Sequence, residues 1–520
     1  MTRSPAPVSR SALLLLACLV GGLAPTSARA QERATVLTAE DRVQLRRYAA
    51  DTWRSMEKLA FPSGLPSDRV HREGPGWREP VPETTPTNIA AYIWSVIAAE
   101  RLEIISHDEA RERLTRTIQT LEAMNRPHGF FANDIDPRSG KLLSASPVDA
   151  SPRRPLISTV DNAWMAMALM MVVNIRPDLA PSANRLLDAM DFGFLYDFYD
   201  DHDPIHQPGL LRVGYWVDEN SFYGHYGMLN TEARMASYIA IARGQLPPDH
   251  YYRMYRTLPT EVAPQEQTPT GDIREYKGVK VFEGAYNYLD MRVVPSWGGS
   301  MFEALMVTLF VPEAAWAPNS WGVNHPLYVR GQIEHGLREM KYGYWGFSPA
   351  FRPTGGYEVY GVKGLGTNPD GYLSFDAAWG LPPHMATLTT GSIHGVVTPH
   401  AAFLALPFAP REAMDNIYAL KDRFPVYGPL GFQDSVDVSS GMVSGYVLAL
   451  DQGMIMAAIA NELADDFMQK AFTTGPVEKA IRPLVAVEEF TAGAPGRYPT
   501  AHHFQPQLTR LSRNVPEIKR

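Results

Sequence analysis

Six carboxylates in this chain stand where acid–base chemistry could use them: Glu232, Glu303, Asp161, Asp434, Asp437 and Asp451. Each opens or adjoins an apolar segment instead of sitting on a charged face. Cleaving a glycosidic bond needs two carboxyl groups on opposite sides of it. One is protonated and donates to the leaving oxygen; the other is ionised and activates water or attacks directly. Any one of the six could equally be a helix cap or half of a buried ion pair, since structural networks also hold acids in clefts.

The elements that must position these groups are helical and come in two kinds. Ile89–Ala99, Trp164–Val173, Ala236–Ala242, Met301–Phe310, Ala401–Leu406 and Met454–Ala460 are apolar nearly all round. Arg111–Glu122, Glu334–Lys341 and Arg411–Lys421 are charged on one face. A helix apolar on every side is buried, and an amphipathic one covers it. Alternation of the two predicts an all-α, double-layered (α/α)6 barrel, with small hairpins in loops at Gly278–Phe282, Tyr342–Phe347 and Tyr357–Val362. Helices are expected at 37–58, 87–99, 106–123, 159–174, 182–190, 231–243, 300–310, 326–340, 399–406, 410–421, 441–463 and 464–472. Pro259 to Lys280 reads as a loop that closes one end of the cleft.

Each apolar helix is preceded by a short polar phrase, such as Thr85-Pro-Thr-Asn88, Ser158-Thr-Val-Asp-Asn162 and Ser296-Trp-Gly-Gly-Ser-Met-Phe-Glu303. In such a barrel these phrases ring one mouth. Capping explains the Ser, Thr and Asn residues without any function. It explains Glu232 and Glu303 less readily.

Composition narrows the class. A net charge of −8 with no basic block argues against nucleic acid, whose phosphates need clustered cations. Ten Trp and twenty-four Tyr suit both a large core and aromatic sugar platforms, for which Trp297, Tyr344, Trp345, Tyr357 and Trp379 are candidates. His128, His225, His384, His394 and His400 show no metal-ligand spacing, and Asp197 to Asp203 reads as a solvated acidic turn. No metal or cofactor is expected.

Residues 1–30 read as an export signal cut after Ala30; a lipoprotein signal at Cys18 is the alternative. Cys18 is the chain's one cysteine, so the exported protein would hold no disulfide or thiolate site. Residues 31–490 would form one catalytic domain, and 491–520 a surface tail. The expected location is the periplasm, without stable membrane insertion. The oligomeric state is left open.

Several phrases, in order, resemble a known family. Pro295-Ser-Trp-Gly-Gly-Ser-Met-Phe-Glu-Ala-Leu-Met306, Tyr344-Trp-Gly-Phe-Ser348, Val397-Thr-Pro-His-Ala-Ala402, Gly431-Phe-Gln-Asp-Ser435 and Ala449-Leu-Asp-Gln-Gly-Met454 are similar to the glycoamylase-type domain. That domain occurs in endo-β-1,2-glucanases (glycoside hydrolase family 144) and in the transglycosylating part of cyclic β-1,2-glucan synthases. The resemblance implies a hydrolase of β-1,2-glucan, with Glu232 as acid, Asp434 as base and Asp161 binding sugar. Glu303, Trp297, Tyr344, Trp345, Tyr357 and His400 are the further substrate-binding candidates.

Two departures from the synthase pattern, Pro349 and Asp434 where it has Glu, favour hydrolysis over transfer. The shorter Asp leaves more room for a water, the geometry of inversion. A retaining transglycosylase, a hydrolase of another glycan and a non-catalytic glycan-binding protein are the rival readings.

Overall fold

The computed structural model describes residues 37–204, 206–259, 264–368, 372–376 and 394–493. The expected export signal, Trp379, His384 and nearly all of the expected tail lie outside them.

Thirteen helices carry the architecture: α1 Ala39–Leu59, α2 Pro86–Arg101, α3 His107–Ala123, α4 Thr159–Ile175, α5 Ala180–Ala189, α6 Arg234–Ala242, α7 Met301–Leu305, α8 Trp321–Glu334, α9 Pro399–Ala405, α10 Pro410–Arg423, α11 Ala449–Leu463, α12 Phe467–Thr473 and α13 Pro476–Val485. The segments that are apolar all round are the ones buried. In α2 every residue from Pro86 to Ala99 is buried, and in α11 every residue from Asp451 to Glu462.

The buried helices pack in cyclic order: α2 on α4, α4 on α6, α7 on α9, α9 on α11, and α11 back on α2. The remaining step, α6 to α7, is made by Arg234, whose guanidinium donates to the carbonyls of Glu303 (3.2 Å) and Ala304 (2.7 Å). Covering helices lie outside: α1 on α2 and α11, α3 on α2, α5 on α4, α13 on α6, α8 on α7 and α10 on α9. Helix α13 was not foreseen. A single cluster of buried side chains, from Leu37 to Ala492, runs through this arrangement.

The protein is not all-α. Leu156–Ser158, Pro208–Trp216, Tyr196–Tyr199 and Ser221–Tyr226 form a four-stranded antiparallel sheet. Thr270–Tyr276, Val279–Tyr288 and Met291–Val293 form a meander; Gly278–Phe282 was expected to be extended, but Thr270–Tyr276 falls where a loop was expected. The burial here does not alternate with residue type: Asp272 and Arg274 are half-buried, Ile273 and Glu275 are exposed, and Gly271 and Tyr276 are buried, so the charges gave no strand signal. Lys277 (φ 50°) and Gly278 (φ 83°) join the first two strands as a two-residue hairpin turn. Turns with both central residues at positive φ match the twist of paired strands.

Other boundaries moved for local reasons. Helix α8 begins at Trp321, and Pro326 lies inside it; the helical path then ends in a wide turn at His335–Glu339. Residues 441–448, expected as helix, instead place Tyr446–Leu448 as a strand beside Arg69–Glu73. Among the described residues no helix is long and apolar enough to cross a membrane.

Arg234 is fully buried and paired with Glu313 (2.7 Å), which also takes hydrogen bonds from the Tyr238 hydroxyl (2.7 Å) and meets His325 Nε2 (3.0 Å). The Glu313 carboxyl is held down to about 2; burial opposes this, and the Arg234 charge with His325 overcomes it. Removing one partner of such a pair strands a buried charge. Arg234→Ala is therefore expected to cost roughly 3–5 kcal/mol in urea unfolding, and a cost below about 1 kcal/mol would contradict the role given to it.

Candidate active site

The first turns of the buried helices open onto one cavity of about 450 Å³. Its lining includes Thr87 and Asn88 of α2, Asp161 of α4, Glu232 just before α6, Phe302 of α7 and Asp451 of α11. Loop side chains close it, among them Asp68, Arg69, Phe351 and Tyr357. Local sequence fixes these helix starts. Thr85 and Ser158 accept the backbone N–H of Asn88 (3.4 Å) and Asp161 (3.3 Å), and Pro86 and Pro399 occupy first-turn positions where no N–H is needed.

Glu232 is pushed up to about 7, by burial first and then by the charges of Glu303 and Asp161. A helix N-terminus favours the ionised form by at most about 2 kcal/mol, and here desolvation outweighs it. The group is thus a carboxylic acid that keeps its proton near neutrality, partly open to the cavity.

On the wall of the same cavity is Asp451, whose carboxylate lies within 4.8 Å of that of Asp434. Burial raises both, Asp434 well above its ordinary value and Asp451 to about 7, and each feels the other's charge or hydrogen bond. Two carboxyls so placed share a proton and titrate as a pair. Asp434 Oδ2 accepts the Phe351 N–H at 2.6 Å. Asp451 lines the cavity; Asp434 stands behind it. His400 is buried with them, its Nδ1 3.4 Å from Asp451 Oδ1, and burial lowers it to about 4, so the ring is neutral.

The other expected residues divide. Asp161 accepts from Thr87 Oγ1 and from Asn133 Nδ2 (3.0 Å), which fixes it on the cavity wall. Glu303 serves its own loop. It forms a capping box with Ser300 and accepts from Ser296 Oγ (2.7 Å) and the Gly298 N–H (3.0 Å). Tyr357 is 52% exposed along one flank, yet burial of its phenol, with Asp451, Asp434 and Asp68 around it, holds the hydroxyl protonated. Trp297 is 36% exposed on the Ser296–Ser300 loop. Trp345 is buried at 2% exposure and Tyr344 packs on Phe424 at 5.2 Å; neither lines the cavity. Asp437 caps the turn at Ser439 and Ser440.

Sequence reading missed Asp68, Tyr226 and Tyr372. Asp68 accepts from Asn88 Nδ2 (2.8 Å) and pairs with Arg69. The Tyr226 phenol is held up by burial and by Glu232 and Asp161. Tyr226 begins the polar phrase that runs to Glu232 but was not singled out in it, and Asp68 and Tyr372 stand in no helix-opening phrase, so helical spacing gives no signal for them.

Among the described residues, two groups of side chains have the donor atoms for a cation: Asp200, Asp201 and His202 at the surface, and buried His400, Asp434 and Asp451, each set within 4.8 Å. In the buried set a shared proton already relieves the like charge. A larger cavity, about 570 Å³, lies at the other end of α11, around Asn461, Glu462 and Leu463. Its Arg482 is paired with Glu478 (2.8 Å) and its Lys470 with Asp465, so the concentration of raised carboxyls is at the first cavity.

A raised carboxyl pKa means that the folded state binds more protons than the unfolded one between about 4.5 and 7, so stability from this site is lost as pH rises through that window. Glu232→Gln should therefore stabilise the protein at pH 8 by on the order of 2 kcal/mol and have no effect below about pH 4.5. Urea unfolding at the two pH values checks this; equal stabilities at pH 8 would show that Glu232 is not held protonated.

Comparison with known proteins follows the same lines. The glycoamylase family model, described as "Putative glucoamylase", matches residues 275–476, and a model of a family of unknown function (DUF3131) matches 47–195. The cyclic β-(1,2)-glucan synthase of Rhizobium meliloti is 28% identical over 316 residues, 59% of this chain, but the match spans only 9% of that much longer protein. An endo-β-1,2-glucanase of Chitinophaga pinensis, solved with sophorotriose and glucose, superposes with a TM-score of 0.59 at 16% identity, covering 86% of this chain and 98% of its own. A β-1,2-glucanase of Parabacteroides distasonis superposes with a TM-score of 0.60 at 16% identity, over 86% of this chain and 60% of its own. By family model, by sequence and by fold, the chain is similar to the glycoamylase-type proteins that its motifs resemble.

Proposed function

We propose that the chain is a glycoside hydrolase that cuts β-1,2-linked glucan. The observation that carries the proposal is that Glu232 and Asp451 line one cavity, with Asp434 beside Asp451, and that burial raises all three carboxyls. Glu232 would donate its proton to the glycosidic oxygen as the C1–O bond breaks. The Asp434–Asp451 pair would take the proton of the attacking water. Asp434 is the base that the family resemblance assigns; Asp451 is the member that reaches the cavity, so the two act as one unit. Asp161 and Tyr357 would hold sugar hydroxyls.

The scaffold is assigned as an (α/α)6 barrel, supported by the cyclic packing of six buried helices and their six covers. Internal cutting and inversion complete the reading. Support for β-1,2 linkage comes from the relatives, whose names specify that glucan. Export through residues 1–30 and action in the periplasm belong to the same proposal, and amino-terminal sequencing of the exported protein checks the cut after Ala30. The match to a synthase favours one rival, a retaining transglycosylase. Product anomer analysis separates the two, since inversion yields the α anomer from a β bond.

Incubation with β-1,2-, β-1,3- and β-1,4-glucans, with products read by chromatography, should show turnover of the first alone. Glu232→Gln and Asp451→Asn should each lower kcat by about 10²–10⁴-fold, the range of a lost general acid or base. Glu232→Gln retaining a third of the activity would defeat the assignment.

A further inference from the structure

Arg69 is the one cationic side chain among the described residues that line the active-site cavity. Backbone bonds fix it on the Asp451 side. Arg69 pairs in register with Leu448, and the Asp68 carbonyl accepts the N–H of Ala449, the first residue of α11, at 2.9 Å. Asp451 stands two residues further along that helix. The guanidinium carbon of Arg69 lies 5.1 Å from the centroid of the Phe351 ring, within reach of a cation–π contact.

Phe351 is itself held firmly. Its N–H donates to Asp434 Oδ2 at 2.6 Å, and its carbonyl accepts from the Ser435 hydroxyl. Its ring stacks on Tyr446 at 4.3 Å and meets Tyr357 edge-on at 5.4 Å. Phe351 and Tyr357 both line the cavity with Arg69. One residue thus ties Asp434 to the ring over which Arg69 lies.

An ion pair alone could account for Arg69, and it has one with Asp68. That pair uses only Nη1, and among the described residues no other acceptor takes a hydrogen bond from the guanidinium. The other oxygen of Asp68 accepts from Asn88 Nδ2 at 2.8 Å, so the carboxylate is anchored from α2. Arginine carries N–H donors on every guanidinium nitrogen, in a rigid fork. Those on Nε and Nη2 share one edge of the plane, which suits two adjacent oxygens. A glucose unit linked through O1 and O2 offers such a pair in its free O3 and O4 hydroxyls.

We propose that Arg69 is a substrate-contacting residue whose Nε–Nη2 edge donates to the O3 and O4 hydroxyls of one glucose unit, and that Phe351 is a positioning residue that holds the guanidinium there. The inference rests on the β-1,2-glucan hydrolase reading for the identity of the sugar. The placement of Arg69 does not depend on it.

Calorimetric binding of a short β-1,2-linked gluco-oligosaccharide to the Glu232→Gln protein tests the contact without turnover. Arg69→Lys keeps the charge beside Asp68 but cannot span two oxygens, so it should weaken Kd by about tenfold. An unchanged Kd would overturn the contact, and so would an oligosaccharide that does not bind at all. Phe351→Leu should cost about threefold with Arg69 present and nothing once Arg69→Lys is in place. Equal losses in both backgrounds would mean a ring that only packs, and would overturn the positioning role. With Glu232 intact, Arg69→Lys should raise KM by about tenfold and leave kcat unchanged, the mark of a contact made equally in ground and transition states; a fall in kcat alone would overturn it. A wild-type protein that binds the oligosaccharide through Arg69 but never cuts it would overturn the hydrolase reading and leave the contact standing.

Discussion

Water is kept from the mouths of the buried helices, and the chemistry of the site follows from that exclusion. A carboxyl placed at a helix N-terminus in water would ionise readily. Glu232 sits at such a place and is nevertheless raised to about 7, because burial and the neighbouring Glu303 and Asp161 outweigh the helix end. Asp451 and Asp434 are raised by the same cause and then by each other. One physical effect thus supplies both a group poised to give a proton and a pair poised to receive one.

The scaffold is what makes so much desolvation stable. The buried helices present apolar side chains on nearly every face, so they can lie close, and the polar phrases at their starts supply the hydrophilic lining together with residues such as Asp68 and Arg69. Where a full charge is buried away from the cavity, it is matched: Arg234 with Glu313 joins the two helices that otherwise meet least. Glu303 shows the same economy of placement. Its carboxylate takes hydrogen bonds from three donors of its own loop, the Ser296 hydroxyl and the N–H groups of Gly298 and Ser300. A residue that reads as a substrate ligand in sequence is, in the fold, the organiser of its own loop.

Helix periodicity made the barrel legible because an all-round apolar segment has few places to go other than the interior. The same periodicity is blind to strands. Thr270–Tyr276 carries alternating charges that look like a loop until the Lys277-Gly278 turn is recognised, and Pro208–Trp216 hides its pairing behind Gly and Pro. For the site, the residues that open helices were found: Asp161, Glu232 and Asp451 meet in one cavity. Aromatic type alone could not sort platforms from packing, so Trp345 reads like Tyr357 in sequence and only burial separates them. Tyr372 and Asp68 come from irregular segments, where spacing has no period to betray a shared location.

The pH dependence of kcat/KM on β-1,2-glucan tests the central claim most directly. If Glu232 must hold a proton that it loses near 7 while the Asp434–Asp451 pair must release one in the same range, the profile is a narrow bell centred near pH 7. A rate that peaks near pH 4, where unperturbed carboxyls titrate, or one that stays flat from about pH 5 to 9, would contradict the account.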